Sequence, residues 1–260
     1  MDAIRLGGMA LQNGVLVHGP TSWAAAVRDA AGEIHVASGR KRRFAPNVAT
    51  PVVRGPLRLA EAFAVLPDVK RHLPQAKFPF ERPAVIGAVV AGSALAAAAR
   101  RAPISALTRE AIAAIASLAP AAIALRGGEL ASYHGAEHVS IGSYERGGGA
   151  APKEHDRCGS HLIGPLLASS AVAGVLAARA PQRARGLARL AGAVGAIGVS
   201  VEVFAWMGRH PTSWVSRALS RPGYELQHRL STAEPTAAQL DVAEQALEAC
   251  LGAEAAAAPA

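Results

Sequence analysis

The sequence predicts a mainly α-helical protein: a membrane-embedded bundle of about four apolar helices, with a small β-rich N-terminal segment and a C-terminal amphipathic helix. Three observations lead to this prediction. Of the 260 residues, 51% are hydrophobic but only 4% are aromatic, a composition rich in small residues that suits close helix packing. Four apolar stretches follow one another along the chain. Short strand-like runs separated by glycines precede them.

The N-terminal domain is assigned to residues 1–83 and is expected to be rich in strands. Residues 23–28 (WAAAVR) and 33–37 (EIHVA) flank the turn-forming residues 29–32 (DAAG), which predicts a hairpin. The membrane bundle is assigned to residues 84–208, with a metal-motif connection inserted at 126–161. The C-terminal tail and helix occupy residues 209–260.

The apolar stretches have the length and composition of short membrane-spanning helices. Each is at or just below the roughly 17–25 residues that a spanning helix needs. Buried helices of a soluble bundle are the alternative, but four stretches that are almost free of charge favour the membrane. The stretches cover residues 84–99, 111–125, 162–178 and 190–207.

The basic residues bear on the orientation of the bundle in the membrane and on whether nucleic acid is a partner. The net charge is +8, which suits contact with the anionic cytoplasmic leaflet of a membrane. No basic stripe with interleaved aromatic residues is present, so nucleic acid is not an expected partner. We expect both termini and the metal motif on the cytoplasmic side, although the two short connections then carry arginines outside, against the positive-inside rule.

A cluster of metal-binding residue types lies between the second and third apolar stretches. On a helix over residues 129–145, His134 and His138 lie one turn apart and can share one ion, with Glu137 beside them. The order His-x-x-Glu-His is the inverse of the zinc-peptidase helix motif, in which the glutamate is the general base. Two surface histidines on a polar helix are the alternative.

Three further residues are candidates to complete the metal site. His155 and Cys158 follow closely, and imidazole and thiolate ligands favour zinc among divalent ions. Glu202 lies inside the fourth apolar stretch, where an acidic residue is a functional candidate by default. Its alternative role is a hydrogen bond between helices or an interfacial position. We therefore predict His134 and His138 as metal ligands and Glu137 as the catalytic base. Glu202, or His155 with Cys158, is expected to complete the set of ligands, and at least one of these three should converge on the two histidines.

The C-terminal region reads as one helix followed by a disordered end. Thr236 is a plausible N-cap, and apolar residues recur at helical spacing from 236 to 251. Residues 253–260 are mostly alanine and are expected to be disordered.

The chain resembles the YqhQ-like family of bacterial membrane proteins of unknown function, often described as candidate metal-dependent enzymes. The resemblance extends over nearly the whole chain and includes Glu202, which matches a late SYE-like triplet. It departs from the family at residues 12–13, 17–18, 139 and 156, while the metal-competent residues are kept. The matching blocks are residues 7–10 (GGMA), 13–15, 18–20, 54–55, 133–138 (YHGAEH), 155–160 (HDRCGS), 222–227, 230–235 (LSTAEP) and 239–243.

The resemblance implies an integral membrane protein with a metal site, and it supplies no reaction. Three functions stay open: a metal-dependent enzyme, such as a zinc hydrolase acting on an unknown small-molecule, lipid or peptide substrate; a non-catalytic membrane protein with a structural metal; or a transporter. The number of ligands would separate the first two, because a catalytic zinc keeps an open position and a structural zinc does not.

Overall fold

The computed structural model describes residues 4–44, 47–125 and 128–257. It is mainly α-helical with one small N-terminal sheet, which confirms the predicted fold class. The strands are β1 (Gly7–Leu11), β2 (Gly14–His18), β3 (Ser22–Arg28) and β4 (Ile34–Arg40). The α-helices are α1 (Arg54–Phe63), α2 (Leu66–His72), α3 (Pro83–Arg101), α4 (Ala106–Leu125), α5 (Gly128–Glu145), α6 (Ile163–Ala178), α7 (Arg185–Arg209), α8 (Trp214–Leu226) and α9 (Ala237–Ala257).

The four strands form an antiparallel meander in the order β1-β2-β3-β4. The predicted hairpin is confirmed as β3–β4, with Arg28 opposite Ile34. The Asp29 carboxylate closes the turn by accepting the backbone N–H groups of Ala31 and Glu33. Gly32 has a φ of +89°, which a residue without a side chain adopts at least cost.

Both faces of the sheet are covered, which explains why β3 is an uninterrupted apolar run. One face, including Val15 and Ala24, packs against α5 and α9. The other face, including Leu16 and Trp23, packs against α2 and the segment that follows it up to Phe78. We call β1–β4 with α2, α5 and α9 the sheet unit. Burial on two faces removes the polar alternation that a half-exposed strand would show.

The four long apolar helices α3, α4, α6 and α7, here called the bundle, pack in two pairs. Helix α3 lies on α4, α6 lies on α7, and α4 contacts α6 to join the pairs. Each of the four candidate spans, of 19 to 28 residues, is long and apolar enough to cross a membrane. Only 17–22% of the residues in their apolar windows are buried within the protein.

The sheet unit lies at one end of the bundle. Helix α5 connects the end of α4 to the segment before α6 and packs on β1 and α9. The α3–α4 and α6–α7 connections are short and lie at the opposite end. The inserted metal motif is therefore held against the sheet and outside the apolar part of the bundle.

Several helices lie where the sequence predicted strands or an irregular tail. Residues 54–72 form α1 and α2 within the segment expected to be rich in strands, and α8 is followed by a π-helical turn, Gln227–Ser231. The predicted disorder from residue 253 is wrong for 253–257, which continue α9, while residues 258–260 lie outside the described residues. The buried Glu254 carboxylate explains the extension, because it accepts the backbone N–H groups of Thr21 and Ser22.

Candidate metal centre

Helix α5 presents His134, Glu137 and His138 from one buried patch of its surface. The i, i+4 spacing of the histidines brings their rings to 4.3 Å between centroids. Cys158, from the loop before α6, completes a group whose possible ligand atoms all lie within 4.8 Å of one another. We call His134, His138 and Cys158 the metal-ligand cluster. The predicted helix over 129–145 is thus confirmed.

Backbone carbonyls set the orientation of both histidines in the cluster. His134 Nδ1 donates to the Ser231 carbonyl oxygen at 2.8 Å, and His138 Nδ1 donates to the Lys153 carbonyl oxygen at 2.6 Å. A carbonyl oxygen can only accept, so the proton of each neutral ring is on Nδ1 and the lone pair is on Nε2. Such contacts hold metal-binding histidines in the correct tautomer. Both Nε2 atoms are therefore prepared to act as ligands.

Cys158 is held next to His134 by a network centred on Gln227. The Cys158 Sγ lies 3.6 Å from His134 Nε2. The fully buried Gln227 side chain accepts the His155 N–H at 2.8 Å and donates to the Ser160 hydroxyl at 2.7 Å. It thereby clamps the loop on either side of Cys158. Gln227 and Ser231 begin and end the π-helical turn, so one short segment positions both the loop and His134.

Glu137 lies buried beside the cluster, between the two histidines. Its Oε2 atom is 3.9 Å from His134 Nε2 and 3.9 Å from His138 Nε2. Strand β1 covers the carboxylate, and Gly8 leaves room for it, because a methyl group at Gly8 would overlap Glu137. Burial raises the pKa of Glu137 to about 7, although His134 opposes the shift. The carboxyl group can therefore hold or release a proton near neutral pH.

Burial also favours the uncharged forms of His138 and Cys158. It lowers the pKa of His138 to about 2, with His134 acting in the same direction. It raises the pKa of the Cys158 thiol, which the Ser160 N–H only partly offsets. A neutral imidazole is the form that binds a metal, whereas the thiol must lose its proton first.

His155 lies near the cluster but is turned away from it. Its ring centroid is 5.6 Å from that of His138. His155 Nε2 lies 3.2 Å from Glu145 Oε2, and its Nδ1 accepts the Arg157 N–H at 3.3 Å. Arg157 also contacts Glu145. Because both of its ring nitrogens are engaged, His155 supports the loop from behind in this conformation.

Glu202 is not among the residues that the fold brings to the cluster. Its carboxylate pairs with Arg54 of α1, with Oε1 2.7 Å from Nε and Oε2 2.5 Å from Nη2. It also accepts the Val52 N–H at 3.4 Å. The contacts described for this acidic residue therefore join α7 to α1.

The donor types of the cluster suit a tetrahedral transition-metal ion, and the spacing of His134 and Cys158 matches one. Zinc binds imidazole at about 2.0–2.1 Å and thiolate at about 2.3 Å, which separates the two donor atoms by roughly 3.5 Å in a tetrahedron. The observed separation of His134 Nε2 and Cys158 Sγ is 3.6 Å. A carboxylate ligand would lie roughly 3.4 Å from each imidazole nitrogen. At 3.9 Å from both, Glu137 lies further out than a ligand would.

Sequence reasoning missed the residues that hold the site in place. Ser231 and Lys153 act through their backbone carbonyls, which every residue has, so residue type does not reveal this role. Gln227 and Gly8 belong to the blocks that carry the family resemblance, but nothing in their own spacing indicated contact with the metal motif.

Among the comparisons with known proteins, one family model matches slightly less than half of the chain. The sequence model of a family described as a protein of unknown function (DUF1385) matches residues 129–253, which include α5, the cluster, the π-helical turn and most of α9. Searches of curated proteins and of solved structures found no match.

Proposed function

We propose that this chain is a bacterial membrane protein of the YqhQ-like kind that binds a divalent metal at His134, His138 and Cys158 and acts as a metal-dependent hydrolase. The observation that carries the proposal is the convergence of these three ligand atoms within 4.8 Å. The family match over residues 129–253 supports it, because the YHGAEH and HDRCGS blocks both lie in that region.

Zinc is the first candidate for the ion. Two imidazoles and one thiolate are ligands that zinc favours, and three protein ligands are the number found in catalytic zinc sites. The carbonyl contacts of both histidines are the outer support that such sites use. A divalent ion held there would supply Lewis-acid chemistry to a polar substrate.

Glu137 is the residue that would move the proton. Its carboxylate is buried at the cluster without displacing any of the three ligands, and burial brings its pKa to about 7. A general base works best when its pKa is near the working pH. The same carboxyl can accept a proton from a nucleophile and return it to a leaving group. The substrate class is a small molecule, a lipid or a peptide.

A structural metal site is the second candidate, and it requires Glu137 to move closer to the two histidines than the 3.9 Å observed. Because Glu137 is equally distant from both imidazole nitrogens, a small shift of its side chain would make it a fourth ligand. A closed four-ligand shell is structural and leaves no position for chemistry. In that case the ion would join α5 to the loop that carries Cys158.

The bundle is proposed to span the membrane, with the sheet unit, the cluster and both termini on the cytoplasmic side. The exposed apolar surfaces of the four long helices support the first statement. The overall distribution of basic residues supports this side, although the short connections carry arginines against the positive-inside rule. Only seven of 27 basic residues then lie outside: Arg100, Arg101, Arg109, Arg179, Arg183, Arg185 and Arg189. Protease treatment of intact spheroplasts should leave α9 uncut, and cleavage there would reverse the orientation.

The metal site is tested by elemental analysis of the purified protein. The wild type should carry nearly one equivalent of a transition metal, and the His134→Ala/His138→Ala double variant should lose it. His210→Ala is the matched control, because His210 is exposed at the end of α7 and its Nδ1 donates to the Trp206 carbonyl oxygen. Cys158→Ser should lower occupancy, whereas Cys250→Ser, at the other free cysteine, should not. Unchanged metal content in the double variant would show that His134 and His138 do not bind the metal.

Catalysis is tested separately with Glu137→Gln, which keeps the shape and removes the base. A catalytic Glu137 predicts full metal occupancy, unchanged melting and failure to complement a deletion phenotype, because losing a general base costs on the order of 10²–10⁴ in rate. A structural Glu137 predicts loss of metal or stability together with function. Full complementation by Glu137→Gln would end the case for an enzyme.

A further inference from the structure

A polar cavity opens at the end of the bundle that is opposite to the sheet unit. It has a volume of about 210 Å³ and lies among all four bundle helices. Its polar lining comes from α3, α4, α6 and α7: Arg100, Glu110, Ser117, Ser170 and Arg189. The remaining lining is alanine and glycine. The volume suits a small group better than a drug-sized ligand, which needs about 300–1,000 Å³.

Two arginine Nε–H donors in this cavity have no partner among the residues that the structure describes. The Nε atoms of Arg100 and Arg189 are buried, and neither has a hydrogen-bond partner among the described residues. No ion pair joins either arginine to a carboxylate in the part of the chain that the structure describes. A buried donor of a charged group that is left unpaired costs more than a neutral one, roughly 1–3 kcal/mol or above. The cavity therefore has two buried N–H donors that a bound acceptor group could satisfy.

The one acidic residue of the cavity leaves it with a net positive charge. Glu110 on α4 lies across Gly174 of α6, where any side chain would overlap it, so the helices make room for this carboxylate. Two arginines and one glutamate leave a single positive charge. A singly charged anion balances it, whereas a dianion would leave an excess of negative charge beside Glu110. A phosphodiester is such a singly charged group.

The position of the cavity matches the level of lipid headgroups. Arg100 lies next to the last residue of α3, while Glu110 and Arg189 lie in the first turns of α4 and α7. Large apolar side chains close to the same end, including Leu176 and Leu187, are exposed and would contact acyl chains. Basic pockets between membrane helices are known to hold phospholipid head groups on the cytoplasmic side of membranes, and this cavity offers the same arrangement of donors at the opposite end.

We propose that this cavity binds the phosphodiester of a membrane phospholipid, with the Arg100 and Arg189 guanidinium groups as donors. The planar, forked donors of arginine match phosphate oxygens better than a lysine ammonium would. Glu110 limits the charge of the anion that is accepted. The site is distinct from the metal-ligand cluster and does not require it, but a lipid as the source of the phosphate rests on the proposed membrane placement of the bundle.

The test measures binding of three probes to the full-length protein purified in detergent: phosphatidylglycerol, diacylglycerol and inorganic phosphate. Wild type should bind phosphatidylglycerol, and Arg100→Gln/Arg189→Gln should bind it about 10–100-fold more weakly, as loss of charged hydrogen bonds predicts. Arg179→Gln/Arg183→Gln is the control, since it removes the same charge from exposed positions of the neighbouring connection. That control should bind like wild type.

A gain of binding guards against variants that simply misfold. Glu110→Gln removes the competing carboxylate and should tighten phosphatidylglycerol binding, which a damaged bundle would not do. Equal losses in both arginine pairs, diacylglycerol binding as tight as phosphatidylglycerol, or weaker binding in Glu110→Gln would each overturn the proposal. Inorganic phosphate binding as tightly as the lipid would assign the site to free phosphate. If the protein is monodisperse without detergent, the proposed membrane placement is wrong and the lipid proposal is wrong with it. The metal content of the protein would not change that conclusion.

Discussion

The sheet unit and the bundle bury their apolar residues in opposite ways. In the sheet unit, Leu16 is 1% exposed and packs among side chains from β3 and α2. In the bundle, Leu187 is 72% exposed and Val90 is 65% exposed. The first region has the packing of a water-soluble core. The second leaves its apolar surface exposed, and we propose that a lipid bilayer covers it.

The sheet unit and the bundle also differ in how their buried polar groups are satisfied. Around the metal-ligand cluster, the carbonyls of Ser231 and Lys153 hold the two histidines. The side chain of Gln227 holds the loop that carries Cys158. At the far end of the bundle, Arg100 and Arg189 keep buried donors without partners. The metal-ligand cluster is thus held by contacts within the protein, whereas the cavity at the opposite end of the bundle has buried donors that await an acceptor.

The comparison predicts unequal costs for the same truncation. Leu16→Ala in the sheet unit should lower the free energy of unfolding by about 2–5 kcal/mol, because it leaves a cavity in a packed core. Ile115→Ala should change it by about 0.5 kcal/mol or less, as at other surface positions, because Ile115 is 66% exposed on α4. Thermal unfolding in detergent, followed by circular dichroism, measures both. Equal losses of stability would mean that α4 is packed as tightly as the sheet.

A charged substitution should reverse that order. Val90→Asp on α3 should reduce the membrane-inserted yield, since an aspartate at a helix centre costs about 2.5–3.5 kcal/mol on insertion. Val36→Asp is the matched control, because Val36 is 43% exposed on β4 and an aspartate there contacts water. Quantitative immunoblots of washed membranes provide the readout. If Val90→Asp is made in normal amounts in the soluble fraction, the exposed face of α3 faces water.

Gln227 offers a smaller test at the cluster. Gln227→Leu removes the bonds to His155 and Ser160 while keeping the size of the side chain, so the loop with Cys158 should loosen. Metal affinity should fall about 10–100-fold, the usual effect of losing outer support. Gln245→Leu, which removes an exposed bond to Asp241 on α9, should leave affinity unchanged. Competition with a chromophoric chelator measures both. An unchanged affinity in Gln227→Leu would show that the loop holds its position without it.

The smallest predicted effect concerns His18 in the sheet unit. Burial, helped by nearby Lys41, lowers the pKa of His18 to about 4 in the folded protein. Between that value and about 6.5 the unfolded chain binds the additional proton, so the stability that the neutral ring provides is lost as the pH falls through this window. From pH 7 to pH 5 the loss should be about 1–2 kcal/mol.

His18→Gln should remove that part of the pH dependence, which melting curves at the two pH values would measure. His138, with its pKa near 2, acts in the same direction and remains in the variant, so some dependence should persist. His210→Gln, at an exposed position at the end of α7, is the control. If His18→Gln and wild type lose the same stability between pH 7 and pH 5, the His18 ring titrates normally in the folded protein.

The sequence by itself determined the features that depend on neighbouring residues. The four apolar helices follow from composition over some twenty residues, and the β3–β4 hairpin follows from the turn around Asp29. His134, Glu137 and His138 share a face because their spacing on a helix decides it. These predictions needed no knowledge of distant parts of the chain.

Only the tertiary structure decided which distant residues meet this face. Cys158 reaches His134 while Glu202 pairs with Arg54, although both were reasonable ligands by residue type. The Ser231 carbonyl lies 97 residues from His134 along the chain, and Gly8 reaches Glu137 from the first strand. Residues 253–257 are helical because Glu254 caps the turn before β3. The local sequence of each segment does not predict which distant segment it contacts, because packing of the whole chain brings the two together.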